Sequence, residues 1–488
     1  MIGTSQRLAL LFVALFMVVP ITLPPFYGHD MQRLAQVILC LVLVVSNLFD
    51  FFSNLGLCLW SRTVLWLQFA ILALGFASSL SSHQSMWAFS ELALLLACCH
   101  ISFCIGQARQ SGNCKLDIFF LQIIIFLCAV KSAQFMGAGA AAFMSRAHML
   151  DTDLLMEGFS NIRFYGQFQT FTLPILALPL LCRTNTRSLK VYIFALLCCW
   201  WMIAICSGTR GTWLGMLGAA GVMVFIGGQG WRWIGWQSFA ACVGLAAFLI
   251  FFHVLPNYLG LEVFNFAGDR LSTSLSAREI IWHQAWEMIK ERPLLGFGPM
   301  HFADIPNPVA AHPHQAILQW ACEWGIPSTL LVMWLVSKGL WATFRLIRAN
   351  HRSTEPVDLL RVCLFASLIG ALTQSMVDGV IVMPYSQLWL AIVVGWLIGI
   401  HEFSPEPTAV RTIGQRGWVA ILTLAVAYLG YIAVRDAPNL EEREQAYIHE
   451  HGGRFQPRFW MQGVIAQPAG RLLEQTNTDN FAPLSTPK

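Results

Sequence analysis

Residues 312–327 read His312-Pro313-His314-Gln315-Ala316-Ile317-Leu318-Gln319-Trp320-Ala321-Cys322-Glu323-Trp324-Gly325-Ile326-Pro327, and the apolar run continues to about Ser337. Roughly 20 such residues cover a hydrocarbon core of about 30 Å. Between Gln315 and Ser337 the one acidic or basic residue is Glu323. The stretch therefore reads as a membrane helix with two titratable side chains at its mouth, a natural place to look for chemistry.

The same pattern recurs on both sides of this helix. Apolar spans fall at about 8–25, 34–52, 63–80, 86–106, 116–136, 167–182, 190–206, 212–228, 234–254, 315–337, 359–383, 386–401 and 417–434. With 56% hydrophobic and only 11% charged residues, against roughly 25% charged in a soluble domain, the chain is an all-α polytopic membrane protein with about 13 transmembrane helices. The first span follows Arg7 without a small-residue cleavage site and reads as a retained helix. No repeat or matched pair of interrupted helices suggests an inverted-repeat transporter. The sequence divides into helices at 1–254, a loop at 255–314, helices at 315–434 and a tail at 435–488. The end of the tail reads as disordered from its composition.

Basic residues set the expected orientation. Arg7, Arg62, Arg109, Lys115, Arg183, Arg187, Lys190, Arg232, Lys338, Arg345, Arg348, Arg352, Arg361, Arg411 and Arg416 fall on one side if the thirteen spans alternate. By the positive-inside bias that side is cytoplasmic. The opposite face then receives residues 137–165, the turn at Ser207–Arg210, the 255–314 loop and the tail. Those segments have room for chemistry. A net charge of +4 is explained by cytoplasmic anchors and makes no case for nucleic acid. Most of the fourteen cysteines lie in apolar spans and read as small hydrophobes.

The exported loop reads as a structured lid. Ser276-Ala277-Arg278-Glu279 has the form of a capping box, and Trp282, Ala285, Trp286 and Ile289 follow at helical spacing until Arg292-Pro293 ends the run. Such a helix, with tryptophans on one side, suits the outer interface of the bilayer. Four Lys/Arg stand against six Asp/Glu in 255–314, so anion recognition there rests on individual arginines. Arg278 lies in the first helical turn, where a cation is disfavoured unless an anion is near; a surface pair with Glu279 is the alternative. Arg210, in Ser207-Gly208-Thr209-Arg210-Gly211-Thr212-Trp213, is either an interfacial anchor or, on the exported side, a phosphate or carboxylate ligand.

Five of the thirteen histidines fall within 253–314. His312 and His314 could ligate a metal, but no third ligand or CxxC spacing accompanies them. General-base work by one of them, or capping of the following helix, are the other readings. Asp378 sits in the 359–383 span, where an ionisable residue is costly; it either positions a substrate or arginine, or makes a structural pair. Glu323 is a candidate for hydrogen bonding within its own helix.

The stretch Arg278 … Trp282 … Glu287-Met288-Ile289 … Arg292-Pro293-Leu294-Leu295-Gly296-Phe297-Gly298-Pro299, followed by His314-Gln315, nine residues and Gly325, resembles the O-antigen ligase and polymerase superfamily. In that family a His followed by Asn, Ser or Gln, nine residues, and Gly-x-x-Gly/Thr/Tyr marks the catalytic loop; Ser328 departs at the last position. Ser207–Gly215 resembles the family's arginine turn. The resemblance implies a GT-C-like, metal-independent, inverting glycosyltransferase of the bacterial inner membrane, active on the periplasmic face and needing no cofactor. It implies a glycan moved from undecaprenyl pyrophosphate to an acceptor hydroxyl, with His314 as base and Arg210 and Arg278, joined by Arg270, on the pyrophosphate. His312, Gln315, Arg163 and Asp378 are the accompanying substrate-binding candidates. Gly158-Phe159-Ser160-Asn161-Ile162-Arg163-Phe164-Tyr165-Gly166-Gln167 is similar to the segment before the central helices of pilin ligases, and Gly453–Gly463 reads as an exposed arginine and aromatic cluster suited to a protein partner. A pilin Ser/Thr is the expected acceptor. Lipid A-core, a growing glycan and non-enzymatic transport of the same lipid are the alternatives.

Overall fold

The computed structural model describes residues 4–51, 62–112, 114–145, 149–264, 277–401, 411–451 and 455–466. The first five helices are α1 (Thr4–Thr22), α2 (His29–Phe51), α3 (Arg62–Leu80), α4 (Ser85–Gly112) and α5 (Cys114–Met144). There follow α6 (Ile162–Leu176), α7 (Leu178–Leu181), α8 (Arg187–Cys206), α9 (Arg210–Ile226), α10 (Gly228–Leu249) and α11 (Leu255–Leu259). The last six are α12 (Arg278–Glu291), α13 (Ala316–Ala349), α14 (Pro356–Gln374), α15 (Pro384–Gly399), α16 (Arg411–Asp436) and α17 (Leu440–His451). Two three-residue strands, β1 (Met149–Asp151) and β2 (Glu262–Phe264), pair in parallel. Among the described residues, eight helices are long and apolar enough to cross a membrane, and α1, α3, α9 and α15 provide shorter apolar segments. The protein is thus all-α and polytopic.

Each expected span falls on a helix, with three adjustments. The 234–254 span extends to Leu259 through a π-helical stretch at Ile250–Val254. The 359–383 span ends early: α14 stops at Gln374, and 375–383 turns back before Pro384 opens α15. The 167–182 span is split between α6 and α7 at Ala177, with Pro174 and Pro179 on either side.

The α6 helix is buried almost all round from Phe164 onward, so its polar groups need partners from neighbours. Gln169 Nε2 donates to the Trp200 carbonyl at 3.1 Å, and Trp200 Nε1 donates to Thr172 Oγ1 at 3.0 Å. Ser367 Oγ of α14 donates to the Phe171 carbonyl at 2.8 Å. Helix α6 is therefore the central element, and its N-terminal end carries Arg163.

The loops separate into two ends. At one, Gln229 N donates to the His351 carbonyl at 2.8 Å, Arg232 Nη2 to Leu181 O at 3.0 Å and Arg361 Nη2 to Ile400 O at 3.0 Å. These are the basic connections. At the other end, α12, the loop into α13, residues 375–383 and residues 455–466 converge. The acidic and titratable residues of interest lie there.

Helix α13 is broken at Gly325, whose φ of 80° and ψ of 163° lie in a region essentially restricted to glycine. The break frees carbonyls that would otherwise pair within the helix. Phe297 N donates to Cys322 O at 3.0 Å, Gly298 N to Glu323 O at 2.9 Å and Ile326 N to Pro293 O at 2.8 Å. A Cβ on Gly325 would collide with the Leu294 carbonyl. The glycine nine residues past His314-Gln315 is therefore where the loop after α12 is stitched to α13. Gly325→Ala should cost about 3 kcal/mol or more, from strain and overpacking combined, read as a lower melting temperature of the detergent-solubilised protein. An unchanged melting temperature would contradict this account of the kink.

Two loop expectations are corrected. Ser276 lies outside the described residues, and the N-cap of α12 is Ala277, left-handed at φ 60° with no side-chain cap bond. Nor is the apolar stripe of α12 left open for lipid. Ile281, Ala285, Met288 and Ile289 pack against Phe302, Ala321 and Cys322, while Trp286 is exposed. Trp282 donates to the Pro313 carbonyl at 3.0 Å, because the apolar stripe of α12 meets protein and not lipid on that side.

The tail is also corrected. Its helix is present as α17, and its end beyond 466 lies outside the described residues. Arg458, Phe459 and Trp460, expected on the surface, are buried. Trp460 Nε1 donates to Asp436 Oδ2 at 2.8 Å, and Arg33 Nε donates to the Phe459 carbonyl at 3.0 Å. The arginine and aromatic cluster faces inward because buried carboxylates and carbonyls await it there.

Candidate active site

Four elements bring candidate residues together at the end opposite the basic loops. Helix α6 begins behind Asn161, whose Oδ1 accepts from Arg163 N at 2.9 Å, leaving the Arg163 side chain exposed. The turn before α9 is held by a hydroxyl chain. Ser207 Oγ lies 2.9 Å from Thr209 Oγ1, Thr209 Oγ1 donates to Thr212 Oγ1 at 3.0 Å, and Thr212 Oγ1 donates to the Gly166 carbonyl at 2.9 Å. Arg210 is the first residue of α9, so this chain ties its position to α6.

Arg278 is the first residue of α12, and its Nη2 donates to the Val377 carbonyl at 2.9 Å. Asp378 follows. It is not inside a helix but in the turn beyond α14, where Oδ1 accepts from Gly379 N at 2.8 Å and Oδ2 from Gln374 Nε2 at 3.1 Å. Ala316 N donates to the Ser375 carbonyl at 2.9 Å, joining this turn to the start of α13.

His314 stands between these groups. Its Nδ1 is 4.0 Å from Asp378 Oδ1, too far for a hydrogen bond, and that buried nitrogen has no other partner among the described residues. Its ring centroid is 4.1 Å from that of His312 at 64°. The backbone of His314 is left-handed, φ 54°, a conformation costly for a residue with a Cβ and concentrated at functional sites.

The electrostatics bind the cluster together. Burial and the Arg163 charge lower the Arg278 pKa, Asp378 opposes this, and Arg210 adds to the lowering. Arg278 therefore senses two further cations and one carboxylate. Guanidinium groups gathered in this way can engage several oxygens of a polyanion. Burial, then the charges of Arg163 and Arg278, push the His314 pKa down to about 3. Burial, then His314, lowers that of His312 well below its usual value. Both imidazoles are neutral at physiological pH, so His314 offers a lone pair to a proton.

A pH profile checks this. Burial and neighbouring cations disfavour the imidazolium, so His314 stays unprotonated well below the ordinary pKa of about 6.5. The acid limb of kcat/KM, which reports the free protein, should be absent between about pH 7 and pH 5. Arg163→Gln removes one of the two cations that lower the His314 pKa and should move that limb upward. A wild-type limb near pH 6.5 would contradict this electrostatic reading.

The structure thus gathers His314, His312, Arg210, Arg278, Arg163 and Asp378. Gln315 instead caps α13, its Oε1 accepting from Leu318 N at 2.5 Å, with its amide nitrogen 3.9 Å from Met376 Sδ. Arg270 lies outside the described residues. Glu323 does not bond within its helix: Oε1 accepts from Phe302 N at 3.1 Å and Oε2 from Arg458 Nη2 at 2.6 Å. Sequence reasoning missed Gln374, whose amide orients Asp378; its spacing of four from Asp378 at a helix end was the available signal. Arg458 carried no comparable signal.

Residues 193–333 match the family model described as O-antigen ligase (Wzy_C). The matched stretch runs from α8 to α13 and contains Arg210, Arg278, His312, His314 and Gly325. No curated protein matches the chain. A family-model match over the segment that carries both arginines, both histidines and the kink glycine supports kinship with O-antigen ligases, and with it a membrane ligase or glycosyltransferase-type enzyme.

Proposed function

We propose that this protein moves a preassembled glycan en bloc from undecaprenyl pyrophosphate to an acceptor hydroxyl on the periplasmic face of the bacterial inner membrane. The observation that carries the reading is the meeting of Arg163, Arg210 and Arg278 beside a neutral, half-buried His314. The anomeric C–O bond to the pyrophosphate breaks, and the electron pair leaves with the phosphate oxygen. The arginines stabilise that charge as it develops. The acceptor oxygen attacks from the opposite face, inverting the anomeric centre, and His314 takes its proton. Arrival of the anionic pyrophosphate offsets the arginine charges and raises the His314 pKa toward the range where it holds that proton. Asp378, 4.0 Å from the ring, stabilises the resulting imidazolium. No step requires a divalent metal, because guanidinium groups provide the positive charge.

The acceptor follows from weaker signals. The 158–167 segment, which presents Arg163, resembles its counterpart in pilin ligases and supports a pilin Ser/Thr. The buried cluster at Arg458–Trp460 contributes nothing to that choice. The description of the matched family favours a second reading, transfer to lipid A-core. Disrupting the gene separates them. Lighter pilin with an unchanged lipopolysaccharide ladder is the expected result; a lost ladder with unchanged pilin identifies the core as acceptor; no change in either contradicts transfer to both.

A further inference from the structure

Residues 455–466 form a strap that reaches from α17 across the candidate active site's supporting elements. Gln456 Nε2 donates to the Asn307 carbonyl at 2.9 Å, and Ile465 N donates to Ala303 O at 3.0 Å. Gln84 Nε2, just before α4, donates to both Ile465 O and Asp304 Oδ1 at 2.6 Å. Met461 N donates to Asp30 Oδ1 of α2 at 2.5 Å. The strap is thus bonded on both edges to the segment that leads into His312 and His314.

At its centre lies Arg458, with no exposed surface. Its Nη2 donates to Glu323 Oε2 at 2.6 Å and reaches Glu91 Oε1 at 3.5 Å. With its amide oxygen turned toward the guanidinium, Gln319 accepts from Nη1 at 2.9 Å and Nη2 at 3.1 Å. Gln319 and Glu323 belong to the short first segment of α13, between His314 and the Gly325 kink. Glu323 in turn fixes Phe302 N. Arg33 closes the network, donating to Arg458 O at 3.2 Å and to Val382 O at 2.8 Å, in the turn that carries Asp378.

Replacing a buried ion pair with apolar residues is often neutral for stability, so this network is a costly way merely to anchor a tail. What it does uniquely is hold the α13 segment behind His314 to the Arg458 guanidinium, while Arg33 ties the Arg458 carbonyl to the turn that carries Asp378. We infer that Arg458 is a positioning residue for the transfer reaction, fixing His314 through Glu323 and Gln319. The inference rests on the transferase reading above. The anion-binding arginines stand on α6, α9 and α12, to which no hydrogen bond from 455–466 runs among the described residues. Losing Arg458 should therefore misplace the base without weakening the donor's grip.

Full-length Arg458→Met and Arg458→Lys proteins, assayed beside wild type with lipid-linked glycan and acceptor, test this. A base displaced by about 1 Å costs on the order of 100-fold, so Arg458→Met is expected to lower kcat about 100-fold with donor affinity held within about twofold. Lysine retains the charge but not the fork, and is expected to recover to about tenfold below wild type. Wild-type kcat in Arg458→Met, or a parallel fall in kcat and donor affinity, overturns the inference. If Arg458→Met does not fold, Arg458→Lys decides: about a tenfold loss of kcat at unchanged donor affinity supports the role, and wild-type kcat overturns it. A wild-type protein inactive toward every lipid-linked donor overturns the transferase reading itself, and this inference with it; active wild type with indifferent variants overturns this inference alone.

Discussion

His314→Ala should reduce transfer by about 1,000-fold, the middle of the range for loss of a general base, while the protein still binds its lipid-linked donor. The expectation follows from placement as much as from residue type. His314 is held in a left-handed backbone conformation at the end of a buried loop, with a nitrogen that has no protein partner among the described residues. A histidine serving only to cap α13 would not need that geometry, and the cap is already made by Gln315. The neighbouring His312 is the internal control. It is 1% exposed and packed beneath His314 against Gly379, so His312→Ala should lower activity through displacement of His314, by less than the direct loss. Equal effects of the two substitutions would show that the base has been assigned to the wrong ring.

The second large effect belongs to the arginines. Arg278→Ala and Arg210→Ala should each lower kcat by about 100-fold, the scale seen when one charge-stabilising donor is removed from a transition state. Unlike the His314 variant, both should weaken donor binding, since pyrophosphate carries its charge in the ground state too. The double variant tests whether they act on one group. Arg278 senses Arg210 and Arg163 directly, so the two losses should be less than additive, as for residues sharing a partner. Measured as kcat and as donor Kd, fully additive losses would place the two side chains on separate ligands. Arg278→Lys should recover little, because a lysine lacks the fork that engages two phosphate oxygens.

Much of the fold was legible because a membrane forces backbone polar groups into helices, and apolar runs therefore announce themselves. All thirteen expected spans found helices. The errors arose where apolar residues did something other than cross lipid. Val380, Val382 and Met383 extend the apolar reading of the α14 span, yet they are buried in a turn, so Asp378 was assigned to a helix it merely follows. The α12 stripe was assigned to lipid because amphipathic periodicity does not say which apolar partner a helix meets.

The site was legible in its charged half. An arginine in a turn between two apolar spans and a histidine at a helix mouth are anomalies that the sequence alone makes visible. The supporting half was not. Arg458 pairs with Glu323 across 135 residues, and nothing local in a tail rich in polar and aromatic residues distinguishes a buried guanidinium from an exposed one. Glu323 was noticed as an ionisable residue in an apolar helix, but its partners, Phe302 N and Arg458, came from segments whose spacing carries no period.

The central claim is that His314 and the arginine cluster form one site for glycan transfer. Its most direct test is the reaction of purified wild-type and His314→Ala protein with undecaprenyl-pyrophosphate-linked glycan and a hydroxyl acceptor, following both products. Wild type should release undecaprenyl pyrophosphate in step with glycosylated acceptor, and the variant should bind donor yet form neither. Product formation by His314→Ala at the wild-type rate would contradict the account.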